Sequence, residues 1–168
     1  MSPTDLLAPI EDRLRMRLGA VEVEDLGTPR RRDFLRFAVA AGDATYLELA
    51  ATIREGDLAP APVLYLPGTL HWAEGPAEAE LRPDGLSHRD APGVEVEAVN
   101  VMHGGQDITF HGRAHEGTRV EARRRLRAVE RKAGRTGDFL VVTTTTEFVA
   151  DGETSLAVVD DTILVVPR

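Results

Sequence analysis

The sequence predicts an α+β domain, a curved antiparallel sheet with a helix against its inner face. Two observations carry that prediction. From residue 99 onward, apolar and polar residues alternate with a period of two in four long segments divided by turn chemistry. Before residue 56 the apolar residues recur at helical spacing, interrupted by one short alternating segment.

Residues 4–18 read as an amphipathic N-terminal helix, with Leu6, Leu7, Ile10, Leu14 and Leu18 near helical spacing. Thr4 or Asp5 offers a cap. Pro9 is comfortable only in a first turn, so the regular helix starts nearer Ala8. Val21-Glu22-Val23-Glu24-Asp25-Leu26 alternates as a short strand. Thr28-Pro29 then supplies an N-cap and a proline at the first helical position. The helix it opens buries Phe34, Phe37, Ala38 and Ala41 and closes on Gly42, and residues 46–55 form a second helix stopping at Gly56.

The segment 56–100 holds six of the ten prolines among several glycines, which predicts loops around one short helix near 63–73. Four strands follow, over 101–111, 118–132, 138–150 and 155–166. Glu116-Gly117, Gly134-Arg135-Thr136-Gly137 and Asp151-Gly152 separate them, the last a strong hairpin signal. In the second of these strands Val120, Ala122, Leu126 and Ala128 point one way while Arg119, Glu121, Arg123, Arg125 and Arg127 point the other. Arg124 breaks the pattern on the apolar side. One face is therefore buried and one wet, as in an antiparallel sheet.

One domain spans residues 1–168. A net charge of −8 lacks the dominant basic field that nucleic-acid binding requires. No apolar run approaches the roughly 18–20 residues needed to cross a bilayer. There is no cysteine for disulfide or thiolate chemistry, and the first residues lack the basic and apolar regions of a signal peptide, so a cytoplasmic location is expected. The sole HxxxH, His111 to His115, lies in strand and turn, so neither a metal nor a cofactor is expected.

Two groups of residues, in order, match a known family pattern. The first is Phe37-Ala38-Val39-Ala40-Ala41-Gly42-Asp43. The second runs from His103-Gly104-Gly105-Gln106-Asp107 through Gly117, Arg131–Gly137 and Val141–Phe148 to Asp151-Gly152. Together they resemble the MaoC-like hot-dog hydratases and dehydratases, in particular the N-terminal domain type that is usually non-catalytic. Leu70-His71-Trp72 with Asp84-Gly85 is loosely similar to the mesaconyl-CoA hydratase branch.

The resemblance implies a hot-dog fold, a curved antiparallel sheet wrapped around a central helix, with an acyl tunnel where two such domains meet. It implies an (R)-specific enoyl-thioester hydratase or 3-hydroxyacyl-thioester dehydratase acting on an acyl-CoA or acyl-carrier-protein thioester. The family box runs Gly-Asp-x-Asn-Pro-x-His, with Asp and His as the acid/base pair. Here Gly42 and Asp43 match, but Thr45, Tyr46 and Glu48 stand where Asn, Pro and His would be.

Asp43 and Glu48 are thus the candidate catalytic positions. Two close carboxylates raise one another's pKa rather than reproduce an imidazole. Asp43 reads equally as a cap for the following helix. His71, Trp72, His103, Gly104 and Arg124 are the candidate substrate-binding residues. For Gly104-Gly105 the alternative is a bulge or a close backbone approach. The basic series Arg119, Arg123, Arg124, Arg125, Arg127, Arg131, Lys132 and Arg135 reads either as a phosphate-holding patch or as a solvated strand face.

With half a dyad and the last strand ending near Arg168, the expected partner is a separate catalytic hot-dog subunit in a hetero-dimer or hetero-tetramer, or otherwise a second copy. The alternatives are a self-sufficient homodimeric hydratase using Asp43 and a non-enzymatic acyl-thioester-binding homodimer.

Overall fold

The computed structural model describes residues 5–69, 77–83, 85, 93–94 and 98–168. In chain order these form helix α1 (Ala8–Met16), strand β1 (Val21–Gly27), helices α2 (Arg31–Ala41), α3 (Ala44–Thr52) and α4 (Tyr65–Thr69), and a 3-10 turn (Glu78–Glu80). Strands β2 (Val99–Phe110), β3 (Val120–Gly134), β4 (Gly137–Ala150) and β5 (Thr154–Pro167) follow. All five strands join one sheet in the order β1-β3-β4-β5-β2, antiparallel throughout, so β1 and β2 are its edges.

The strands arise where the alternation predicted them, and the hairpin at Asp151-Gly152 has positive φ at both residues, as a primed turn requires. Facing, however, is corrected in β3. A bulge between Leu126 and Ala128 leaves Arg127 unpaired in the β3–β4 register and reverses the parity beyond it. Val120 and Ala122 face the core as expected, but past the bulge it is Val129, not Ala128, that is buried.

Helix boundaries moved for local reasons. Asp5 Oδ1 accepts from the amides of Leu7 (3.0 Å) and Ala8 (3.3 Å), and Pro9 sits in the first turn of α1. Leu18 lies beyond that helix, bridging to Leu126. Thr28 is not the cap of α2. The helix begins at Arg31 because the Asp33 carboxylate, one turn in, accepts the Arg30 amide at 2.9 Å. Its buried face is Phe34 and Ala38, with Phe37 half-buried and Ala41 exposed.

Two apolar clusters share the inner face of the sheet. Over one half, α2, α3 and α4 bring Phe34, Ala38, Tyr46 and Leu66 onto Ala122, Phe148, Ala157 and Val159. Tyr65 meets Phe34 and Phe37 edge-on, with ring centroids 4.8 and 5.5 Å apart. Over the other half, α1 drives Leu7, Ile10 and Leu14 onto Val129, Leu140, Val142 and Val165. Phe34, Phe148, Leu7, Ile10 and Leu14 are all at or below 1% exposure, so both halves are filled by the chain's own side chains.

Candidate functional site

Asp43 sits at the joint between α2 and α3. Gly42 adopts a left-handed φ of 66°, and the Asp43 amide reaches back to the Ala38 carbonyl at 2.9 Å, closing α2 in a Schellman turn. The Asp43 Oδ1 then accepts the Tyr46 amide at 2.9 Å, capping α3. Tyr46, at the Pro position of the family box, is buried, and its hydroxyl donates to the Pro60 carbonyl at 2.8 Å. Burial raises its phenol pKa above the ordinary value. Tyr46 and Ala50 turn α3 toward the core, which leaves Glu48 on the exposed side of the helix. Among the described residues no histidine bonds Asp43. The box is therefore a helix–turn–helix joint held by its Asp.

A second polar group lies on the inner face of the sheet. Residues directly opposite in an antiparallel pair share a face, and facing alternates along a strand. Thr144 pairs with Asp161, Thr146 with the core residue Val159, and His103 with Ile163, which packs on the α1 cluster. Thr144, Thr146, Asp161 and His103 thus form a polar strip between the two apolar clusters. Thr144 and Thr146 are buried, and His103 Nε2 lies 2.7 Å from Asp161 Oδ1. Gly104 and Gly105 follow at a bulge in β2, as one of the two sequence readings had it. A Cβ on Gly104 would approach the Thr162 carbonyl oxygen and side chain at 3.1 Å. Arg124 stands opposite Thr146 on the same face and is half-buried. With Leu14, Leu126, Val142, Thr144 and Ile163 it lines a cleft of about 30 Å³ beside α1.

The outward arginines of β3 are largely engaged within the chain. Arg119 bonds Asp25 at 2.8 Å, Arg123 bonds Glu121 and Arg127 bonds Asp160 at 3.2 Å, while Arg131, which the bulge turns to the inner face opposite Leu140, bonds both Asp5 (2.6 Å) and Asp138 (2.9 Å). These partners hold the carboxyls of Asp25 and Asp5 below the ordinary aspartate range. Asp160 is lowered first by the hydrogen bond from Thr145 and then by Arg127. The stripe is a paired, solvated face rather than an open anion site.

The candidates His71 and Trp72 lie outside the described residues. Asp161 is the site residue that sequence reading missed. Its signal was Asp160-Asp161 set inside an apolar strand, but the pairing to His103, 58 residues away, depends on register. Among the described residues, no group of three or more His, Asp or Glu side chains is placed to hold a metal ion. Nor is any described helix long and apolar enough to cross a membrane.

A family model described as "FAS1-like, dehydratase domain region" matches residues 29–157. The chain belongs to that family. No curated protein matches it in sequence. Solved structures that resemble this FAS1-like dehydratase region are hot-dog proteins. The ChsH1-ChsH2 complex from Mycobacterium tuberculosis aligns at TM-score 0.62 and 15% identity, over 92% of this chain and 89% of that one. The (R)-hydratase from A. caviae involved in PHA biosynthesis gives 0.57 and 16%, over 87% and 94%. The C-terminally truncated HadBC (3R-hydroxyacyl-ACP dehydratase) complex from M. tuberculosis gives 0.57 and 17%, over 88% and 96%. The five-stranded curved sheet and its helices are therefore a hot-dog fold, within a group that includes MaoC-like dehydratases. In this FAS1-like region the matched segment starts after α1 and β1, so the helix that fills half of the inner face lies outside the family match.

Proposed function

We propose that the chain is a hot-dog subunit of an (R)-specific enoyl-thioester hydratase or 3-hydroxyacyl-thioester dehydratase, and that it is the non-catalytic half. It shapes an acyl tunnel beside a partner chain that carries the complete Gly-Asp-x-Asn-Pro-x-His box. The carrying observation is the use made of Asp43, whose carboxylate caps α3 while the histidine position of the box is an exposed glutamate. Hydration needs a base to activate water, an acid to protonate the α-carbon and donors for the thioester oxygen. A capping carboxylate that has no imidazole beside it among the described residues is poorly suited to that proton work. The partner supplies the acid/base pair, and this chain supplies wall residues, with His71, Trp72, His103, Gly104 and Arg124 as candidates. The ligand is an acyl-CoA or acyl-carrier-protein thioester.

The names of the similar structures support the reading: two are complexes of two differently named components, and the reactions named are hydration and dehydration. Strand β2 also favours a partner, since it is a sheet edge and exposes Met102 and Phe110. Co-expression with a hot-dog protein bearing the full box tests the proposal. A stable hetero-complex with hydratase activity is expected, and its failure to form would argue against this assignment.

A further inference from the structure

The polar strip of Thr144, Thr146, Asp161 and His103, with Arg124 on the same face, lies between the two apolar clusters. On one side of it the core is closed by Phe34 and Phe148, on the other by Leu7, Ile10 and Leu14, all at or below 1% exposure. Among the described residues, neither half of the inner face leaves a trough for an alkyl chain. The cleft beside α1, about 30 Å³, has room for about two water-sized groups. His103 and Asp161 remain reachable, with side chains 57% and 28% exposed. Their 2.7 Å contact joins Nε2 of the imidazole to the Asp161 carboxylate. Nδ1 of His103 and the second oxygen of Asp161 are further hydrogen-bonding atoms of this pair. An alkyl group laid over them would strip their water and return no hydrogen bond, whereas a hydroxyl can donate to the carboxylate and donate to or accept from the imidazole.

We propose that this strip is the point where the subunit meets its ligand, and that it selects a short acyl group bearing a hydroxyl beyond the thioester and the reacting carbons rather than a long hydrocarbon. The inference rests on the acyl-thioester reading above and adds the substrate class to it. Asp161 acts through His103 as a positioning residue, and the pair sets specificity rather than moving protons in the reaction.

The test compares binding of two saturated, near-isosteric coenzyme A thioesters, 4-hydroxybutyryl and pentanoyl, to the complex with its partner, by calorimetry. A decanoyl thioester serves as the long-chain comparison. The hydroxylated ligand is expected to bind about tenfold or more tightly than pentanoyl, because a site built to pair a hydroxyl discriminates strongly against its absence. His103→Leu should erase that ratio. His103→Gln, at an exposed position that tolerates it, should retain part of the ratio and show that the fold is intact. Equal binding of the two short thioesters, tighter binding of decanoyl, or a ratio unchanged in His103→Leu would overturn this inference alone. If no thioester binds, the acyl-thioester reading itself fails and takes the inference with it.

Discussion

Asp43 separates a structural carboxylate from a catalytic one, and three substitutions distinguish the roles. Its Oδ1 holds the Tyr46 amide at 2.9 Å, and as an anion at a helix start it also meets the positive end of the α3 dipole. Asp43→Ala removes both, at a cost of about 1–2 kcal/mol, which for a domain of this size lowers Tm by about 2–8 °C. Asp43→Asn keeps an acceptor oxygen and loses only the charge, about 0.3–1 kcal/mol. Asp43→Ser keeps a good cap with no carboxyl group at all. Thermal melts of the three variants, paired with hydratase rates of the hetero-complex, read both quantities. Ser and Asn variants should melt close to wild type and leave the rate of the complex within about threefold, since a group outside the proton chemistry contributes none of the 10²–10⁴-fold of an acid or base. A complex whose rate falls a hundredfold or more with Asp43→Asn, at unchanged stability, refutes the reasoning.

Other consequences follow from packing and charge. Gly68→Ala places a Cβ 2.8 Å from the Phe37 ring and should cost about 1 kcal/mol in chemical denaturation, partly restored when Phe37→Leu is added. Tyr46→Phe removes the hydroxyl that satisfies the Pro60 carbonyl and should cost about 1 kcal/mol in the same assay. The carboxyl of Asp160 is lowered by Thr145 and Arg127, so its contribution is full above about pH 4, the ordinary aspartate value, and is lost as pH falls through the lower folded value. Urea midpoints measured from pH 5 down to pH 2 should therefore fall less steeply for Asp160→Asn than for wild type, and identical slopes would contradict the assignment.

The sheet was readable in the sequence because its strands are long and alternate cleanly, and each turn carries glycine. Register was not. The bulge at Arg127 exchanges Ala128 for Val129 on the buried face, and nothing local in Arg125-Leu126-Arg127-Ala128 marks it. The same limit hid the site. His103 was visible as a candidate, but its partner Asp161 is set by β2–β5 pairing across a bulge at Gly104. Capping was half legible: Asp5, Gly42 and Asp43 do what their types suggest, whereas the start of α2 was decided by Asp33 rather than by Thr28. For the arginine stripe a phosphate-holding patch stayed open beside the solvated strand face because its acidic partners, Asp25, Asp160 and Asp5, are distant in sequence.

The central claim is that this hot-dog subunit does not carry the acid/base chemistry itself. Hydration of crotonyl-CoA by the purified chain, alone and after reconstitution with a hot-dog partner that has the full box, measures it directly. No turnover alone and robust turnover on reconstitution is the predicted result. Turnover by the chain alone, abolished by Asp43→Asn, would contradict it.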